Sequence, residues 1–266
     1  PITLPQAAQS ARFFQTFLYN SITKRDRQNI PQIVFYDEGV GTSGKIDRVL
    51  GGLFGLGLNQ NIKQCYKFLV KYYDPGDKIF IFGFSRGAYT ARSLAGLIGC
   101  AGIIDRAKVP FDLSMIENVF SEKKDQDEII SEAFEYYRLP PDDRLPLQEK
   151  EFGSLTHADV NVHCIGVWDT VGSLGVPILD PFSLVNKKFQ FHDVSLGAHI
   201  KNAFHAVSID EKRSTFRATL WSAENLRDDQ RVEQVWFPGV HGDVGGGGKI
   251  DGLSNNALSW MCLRNV

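Results

Sequence analysis

The stretch "KIFIFGFSRGAYTARSLAGL", residues 78–97, sets one serine between two glycines where an apolar run ends. The run "KIFIF" (78–82) has the aromatic and β-branched character of a buried strand, and residues 86–99 place small side chains along one face of a helix. The link between them, Gly83-Phe84-Ser85-Arg86-Gly87, is either an ordinary strand-to-helix turn or a turn that presents a nucleophile. A presented serine needs small residues two before and two after it, because the turn is so tight that a side chain there meets neighbouring backbone. Gly83 and Gly87 fill those positions. Chance alone places Gly-x-Ser-x-Gly in roughly one chain in ten of this length at ordinary glycine and serine usage. The strand before and helix after make a chance match several times rarer. Ser85 is therefore the candidate nucleophile, and the backbone N–H of Arg86 is the candidate first oxyanion donor.

A serine hydroxyl reacts only with a base in hydrogen-bond reach and a group that orients that base. In this kind of fold the chain order is serine, then acid, then histidine. After Ser85 the best acid is Asp169, which ends the apolar run "VHCIGVW" and so lies at the same sheet edge as the turn. Its plainer role is a turn or helix-capping aspartate. Asp180 and Asp210 compete less well, since no comparable strand leads into either. Six histidines compete as base. His163 lies inside a strand pattern, and His199 and His205 lie in "GAHIKNAFHAVSID", of mixed helix and strand character, where a satisfied buried imidazole is the bland expectation. His157 and His192 have polar, loop-like surroundings. His241 follows a strand in "VWFPGVHGDVGGGGK", on a loop whose glycines permit unusual backbone angles. It is the preferred base, and Asp243 is expected to shape the loop.

Elsewhere the chain alternates helices and strands. A helix is expected over 5–19, strands over 32–36 ("QIVFY"), 160–168 and 232–237, and a helix over 59–73. The alternation implies a mostly parallel central sheet with helices on both faces; together with the serine turn it makes the α/β-hydrolase the expected fold class. Residues 105–159 interrupt it with charge-rich helix formers and a proline-rich loop, and are expected as a helical cap inserted into a single domain spanning 1–266. The segment "GGLFGLGL" (51–58) is apolar but too glycine-rich to be read as a helix with assurance.

The balance of 29 basic against 31 acidic residues gives no argument for nucleic acid or an anionic membrane as partner. Four scattered cysteines form no zinc or disulfide framework and mildly favour a reduced, cytoplasmic compartment. No signal peptide or membrane-spanning run is visible, although the abrupt start at Pro1 suggests a trimmed longer protein. No metal or organic cofactor is implied.

The motifs "FGFSRGAYTAR", "VWDTVGSLG", "HAVSIDEKRSTFRATLW" and "VWFPGVHGDVGGG", in that order, resemble those of the type VI secretion lipase-effector catalytic domain family, phospholipase-like α/β-hydrolases with bacterial and fungal members. "IVFYDEGVGT" (33–42) also matches. The resemblance covers about residues 30–104 and 160–262. It implies Ser85 as nucleophile, Asp169 as acid and His241 as base, and a fatty-acyl ester, phospholipids included, as substrate. It also implies an early strand ending in an Asp-Gly-Thr-type motif, which does not precede Pro1. The second oxyanion donor then comes either from that strand or from Gly39–Thr42.

The expected activity is thus ester hydrolysis on a lipid or small ester, with transient contact to a membrane surface as an option that "GGLFGLGL" and the 19 phenylalanines leave open. For those stretches, burial in the core is the plainer role. Two other readings compete. A hydrolase fold can serve as a silent binding module. Gly39, Gly44 and Lys45 match the start of a nucleotide-binding P-loop, but Ile46 stands where the motif needs Ser or Thr.

Overall fold

The computed structural model describes residues 22–37, 51–109, 126–144, 146, 151–157, 159–171, 196–222, 224, 226–247 and 251–264. The expected helix over 5–19 and the P-loop match, with Gly39, Gly44, Lys45 and Ile46, lie outside these residues, as do His192 and Asp180.

The centre is a four-stranded parallel sheet in the order β1 (Ile79–Phe84), β4 (Val162–Trp168), β5 (Ile200–Ser208) and β6 (Arg231–Phe237). The inner strand β4 is nearly continuous apolar sequence and buried on both faces, as a strand covered on both sides requires, whereas the edge strand β6 carries Arg231, Glu233 and Gln234. Ile165, Val167 and Ala203 face one layer of core, shared with helices α1 (Gly51–Tyr72), α2 (Arg86–Ala101) and α3 (Gln126–Arg138). Cys164, Trp168, Phe204 and Ala206 face a second layer, filled by Val244 of the single-turn α4 (His241–Gly245) and by Ala257, Leu258 and Met261 of α5 (Gly252–Arg264). This is the expected α/β architecture.

Register decides where chemistry can occur. Phe84 lies opposite Trp168, Trp168 opposite Ala206, and Ser208 opposite Phe237. The carboxyl ends of all four strands therefore emerge at one edge, the edge at which open α/β sheets bind ligands. The ladder continues one residue further: Ser85 N–H donates to Trp168 O (3.0 Å), Asp169 N–H to Ala206 O (2.7 Å) and Ile209 N–H to Phe237 O (3.1 Å).

Four local expectations change. Residues 32–37 form no strand; Pro31 makes an isolated bridge to Arg25, and Phe35 stacks on Phe68 of α1 at 5.1 Å. An extended apolar run becomes a strand only where a neighbour offers its backbone, and here the run packs by its ring instead. Helix α1 starts at Gly51, eight residues before the expected start at 59. The stripe of Leu58, Ile62, Tyr66 and Val70, all buried, holds it through packing that outweighs the roughly 1 kcal/mol lost at each glycine. The mixed segment around His205 is strand β5. His241 opens a helical turn and is not on an irregular loop.

Within the 105–159 segment, α3 buries Ile129, Ile130, Ala133 and Phe134 in the core it shares with α1 and α2. Lys67 of α1 pairs with Asp127 at 2.6 Å, and Lys63 lies over the Phe134 ring. A two-stranded antiparallel ribbon, β2 (Ile103–Ile104) with β3 (Thr156–His157), closes the base of the excursion. Residues 110–125 and 147–150 lie outside the described set. Among the described residues no helix is long and apolar enough to cross a membrane.

Because Phe134 is 1% exposed, Phe134→Ala is expected to destabilise the whole domain by about 3–5 kcal/mol, read as a lower urea midpoint. A helix that merely lay over the sheet end would leave that midpoint unchanged.

Candidate active site

Ser85 sits between β1 and α2 with φ 57° and ψ −118°, a backbone conformation that L-residues avoid at a cost of order 1–3 kcal/mol. Gly83 makes the turn sterically feasible. A Cβ there would lie 2.2 Å from the carbonyl oxygen of Gly87, far inside contact distance. At Gly87 itself a Cβ would meet nothing within 4 Å, so the expected collision exists only on the Gly83 side. The sharp turn projects the hydroxyl above the sheet edge and leaves Ser85 at the amino end of a 16-residue helix. Arg86 is the first residue of that helix, whose dipole and first-turn amides favour a negative oxygen nearby. The alternative second donor, Gly39–Thr42, falls outside the described residues.

His241, first residue of α4, reaches across the edge. Its Nε2 lies 2.8 Å from Ser85 Oγ, and its Nδ1 lies 2.6 Å from Asp169 Oδ2. An ionised carboxylate can only accept, so Nδ1 carries the proton. Nε2 is then the acceptor and the Ser85 hydroxyl the donor. His241 is 7% exposed and Asp169 0%. The imidazole is held between the Phe84 ring (4.6 Å) and the Phe216 ring (4.8 Å, edge-on). The structure thus brings Ser85, Asp169 and His241 together in one hydrogen-bonded chain drawn from the ends of β1 and β4 and from the start of α4.

Asp169 has φ 40° and follows β4 directly. Both of its carboxylate oxygens are met by Ser208, the last residue of β5. The Ser208 N–H donates to Oδ1 and the Ser208 hydroxyl to Oδ2, each at 2.9 Å. A few residues on, Glu211 accepts the backbone N–H of His241 at 3.3 Å. Arg213 grips the Glu211 carboxylate with two nitrogens at 2.7 and 2.8 Å, and these hydrogen bonds hold its pKa down to about 2. Arg213 in turn stacks 3.8 Å over Phe216. Sequence reasoning missed Ser208, Glu211, Phe84 and Phe216. Their one signal was position, three of them falling in "HAVSIDEKRSTFRATLW", which spans the end of a strand and the segment after it.

The remaining candidates lie apart from Ser85. His205 is wholly buried in β5, where Nε2 accepts from Thr170 N–H at 3.2 Å and Nδ1 faces Gln234 Oε1. Burial, aided by the charge of Arg92, pushes its pKa down to about 3. His199 bonds to Ala95 O at 2.8 Å, His163 packs on Phe80, and His157 faces Asp105 at 3.7 Å. Asp210 accepts from Gly239 N–H, and Asp243 accepts from Val240 N–H, capping α4.

Among protein families, the model described as T6SS, phospholipase effector Tle1-like, catalytic domain, matches residues 16–264. An uncharacterized protein of Saccharomyces cerevisiae (strain ATCC 204508 / S288c), YEL023C, is 27% identical over 223 residues, which is 75% of this chain and 28% of that protein. The chain therefore spans under a third of this curated relative. A solved Tle1 effector, bound to the VgrG spike of the type 6 secretion system, aligns with TM-score 0.42 at 20% identity, over 90% of this chain and 44% of that one. An uncharacterized protein from Pseudomonas aeruginosa aligns with TM-score 0.36, also at 20% identity, over 80% and 28%.

Two outcomes follow from the geometry. Gly83→Ala is expected to abolish soluble folded protein or cost more than about 3 kcal/mol, whereas Gly87→Ala, in open space on a helix, stays within about 1 kcal/mol; paired urea titrations decide. His205 binds its proton far more weakly folded than unfolded, so the unfolded chain holds the extra proton between pH 6.5 and about 3. Stability is therefore expected to fall as pH drops through that window, by up to about 1.4 kcal/mol per pH unit, and His205→Gln should remove this component of the slope.

Proposed function

The chain belongs to the Tle1-like family of phospholipase effector catalytic domains of the type VI secretion system, and on that premise we propose that it is a serine hydrolase cleaving carboxylic esters of lipids, phospholipids included. What carries the reading is one imidazole flanked by an alcohol at 2.8 Å and a buried carboxylate at 2.6 Å. That geometry suits acyl transfer and has no comparable use in a binding module.

In the proposed reaction, Ser85 Oγ attacks the ester carbonyl carbon while its proton passes to His241 Nε2. The carbonyl oxygen becomes an oxyanion at the amino end of α2, where Arg86 N–H is the first donor. Asp169 keeps the Nδ1 proton in place and offsets the positive charge of the imidazolium. Collapse of the tetrahedral intermediate breaks the ester C–O bond, and His241 Nε2–H protonates the departing alcohol oxygen. Water then attacks the acyl-Ser85 carbonyl, giving its proton to His241, and the second collapse returns that proton to Ser85 Oγ and releases the fatty acid. The reading treats 1–266 as a single domain, with 105–159 as its inserted cap region.

Ser85→Ala is expected to abolish both fluorophosphonate labelling and ester turnover with the circular dichroism spectrum unchanged. His241→Ala should lower turnover by about a thousandfold or more. Both are measured on a panel of phospholipids and short-chain esters. Retained turnover in Ser85→Ala, or a loss below about tenfold in His241→Ala, would refute the assignment.

A further inference from the structure

We propose that Ser208 is a positioning residue for the acid–base pair: its hydroxyl donates to the same Asp169 oxygen that receives the His241 Nδ1 proton, fixing the carboxylate plane and limiting how firmly it holds a protonated imidazole. The inference rests on the reading that Ser85, His241 and Asp169 carry the reaction. Ser208 is 5% exposed and ends β5 opposite Phe237. Its two donors form a fork, N–H on Oδ1 and Oγ–H on Oδ2. A single donor would leave the carboxylate free to turn about its Cβ–Cγ bond, whereas donors on both oxygens from one residue define the plane. Oδ2 then presents its remaining lone-pair direction to His241.

The second effect is electrostatic. A hydroxyl on Oδ2 withdraws charge from the oxygen that faces the imidazole, so less of it is available to favour imidazolium in the resting enzyme. Ser208 is the neighbour that donates directly to the oxygen facing the imidazole; the charged groups around the pair act from further off. Glu211 and Arg213 close on each other, with Glu211 accepting His241 N–H and Arg213 adding a positive field at Asp169. Asp243 on α4 is turned to Val240 N–H. His205, beside Asp169 on β5, is occupied with Thr170 and Gln234, and Arg92 lies beyond it.

Fluorophosphonate labelling reads the pair directly. Ser85 Oγ forms a bond to phosphorus, fluoride leaves, and the serine proton passes to His241, which must start as the neutral imidazole. Thr and Val at position 208 share one shape and differ in the hydroxyl, and Ala leaves the strand uncrowded. The rate–pH profile of Ser208→Thr is expected to match wild type. Ser208→Val and Ser208→Ala should lose about tenfold at the plateau and move the acidic limb up by about half a pH unit, because the bared carboxylate favours imidazolium. A merely structural serine would lower the plateau without moving the limb. Coincident limbs for Thr and Val would overturn the proposal alone. A wild-type protein that never labels at Ser85 would overturn the parent reading, and this one with it.

Discussion

A carboxylate with no solvent exposure organises the edge of this sheet. Taking a charged carboxylate out of water costs several kcal/mol unless donors replace its hydration. For Asp169 the replacements come from two other elements: Ser208 N–H and Oγ–H at the end of β5, and Nδ1–H of His241 on α4. β4, β5 and α4 are therefore not independent parts. Shifting β5 by one residue against β4 would turn Ser208 to the other face and leave the charge stranded. The register of the sheet and the arrangement of the site are one constraint, satisfied together.

The same edge stores strain. Ser85 and Asp169 both hold positive φ, and each stands one residue beyond its strand. At both, the backbone N–H still completes the parallel ladder, to Trp168 O and Ala206 O. The ladder thus pins each residue on one side while the chain turns sharply away on the other. The core beneath, with Val167, Trp168 and Ala206 nearly or wholly buried, resists the shift that would relieve the turn.

What the sequence disclosed follows this division between local and distant determinants. The turn at Ser85 was legible because its requirements, a strand, Gly83 and a following helix, fall within about twenty consecutive residues. Asp169 and His241 were legible as polar residues directly after apolar runs, and chain order sorted them. Ser208 was not, since its partner is set by strand register and lies 39 residues away. The run at 32–36 looks like a strand in isolation, yet strand formation depends on a neighbour that no short window contains. The opposite error occurred at 51–58, where local glycine content argued against a helix that runs on into the buried stripe of Leu58, Ile62, Tyr66 and Val70. β5 stayed ambiguous because "IKNAFHAV" places polar Asn202 and His205 inside a buried strand, and only their partners, His163 O and Thr170 N–H, make that tolerable.

The holding of His241 shows why the segment after β5 matters as a unit. A five-residue helix is too short to fix its own first side chain. Its backbone is caught by Glu211, its ring by Phe216 and Phe84, and Glu211 is itself gripped by Arg213, which lies on Phe216. Ser208, Glu211, Arg213 and Phe216 all belong to one short stretch, and that stretch also restrains Asp169. Asp169 and His241 are consequently restrained by one segment, while Ser85 is carried between β1 and α2, and Phe84 of β1 reaches the His241 ring from that side. Ser85 and Asp169 are in turn tied through the β1–β4 ladder, where Ser85 N–H donates to Trp168 O, so the serine–imidazole hydrogen bond depends on that ladder and on the segment after β5 together.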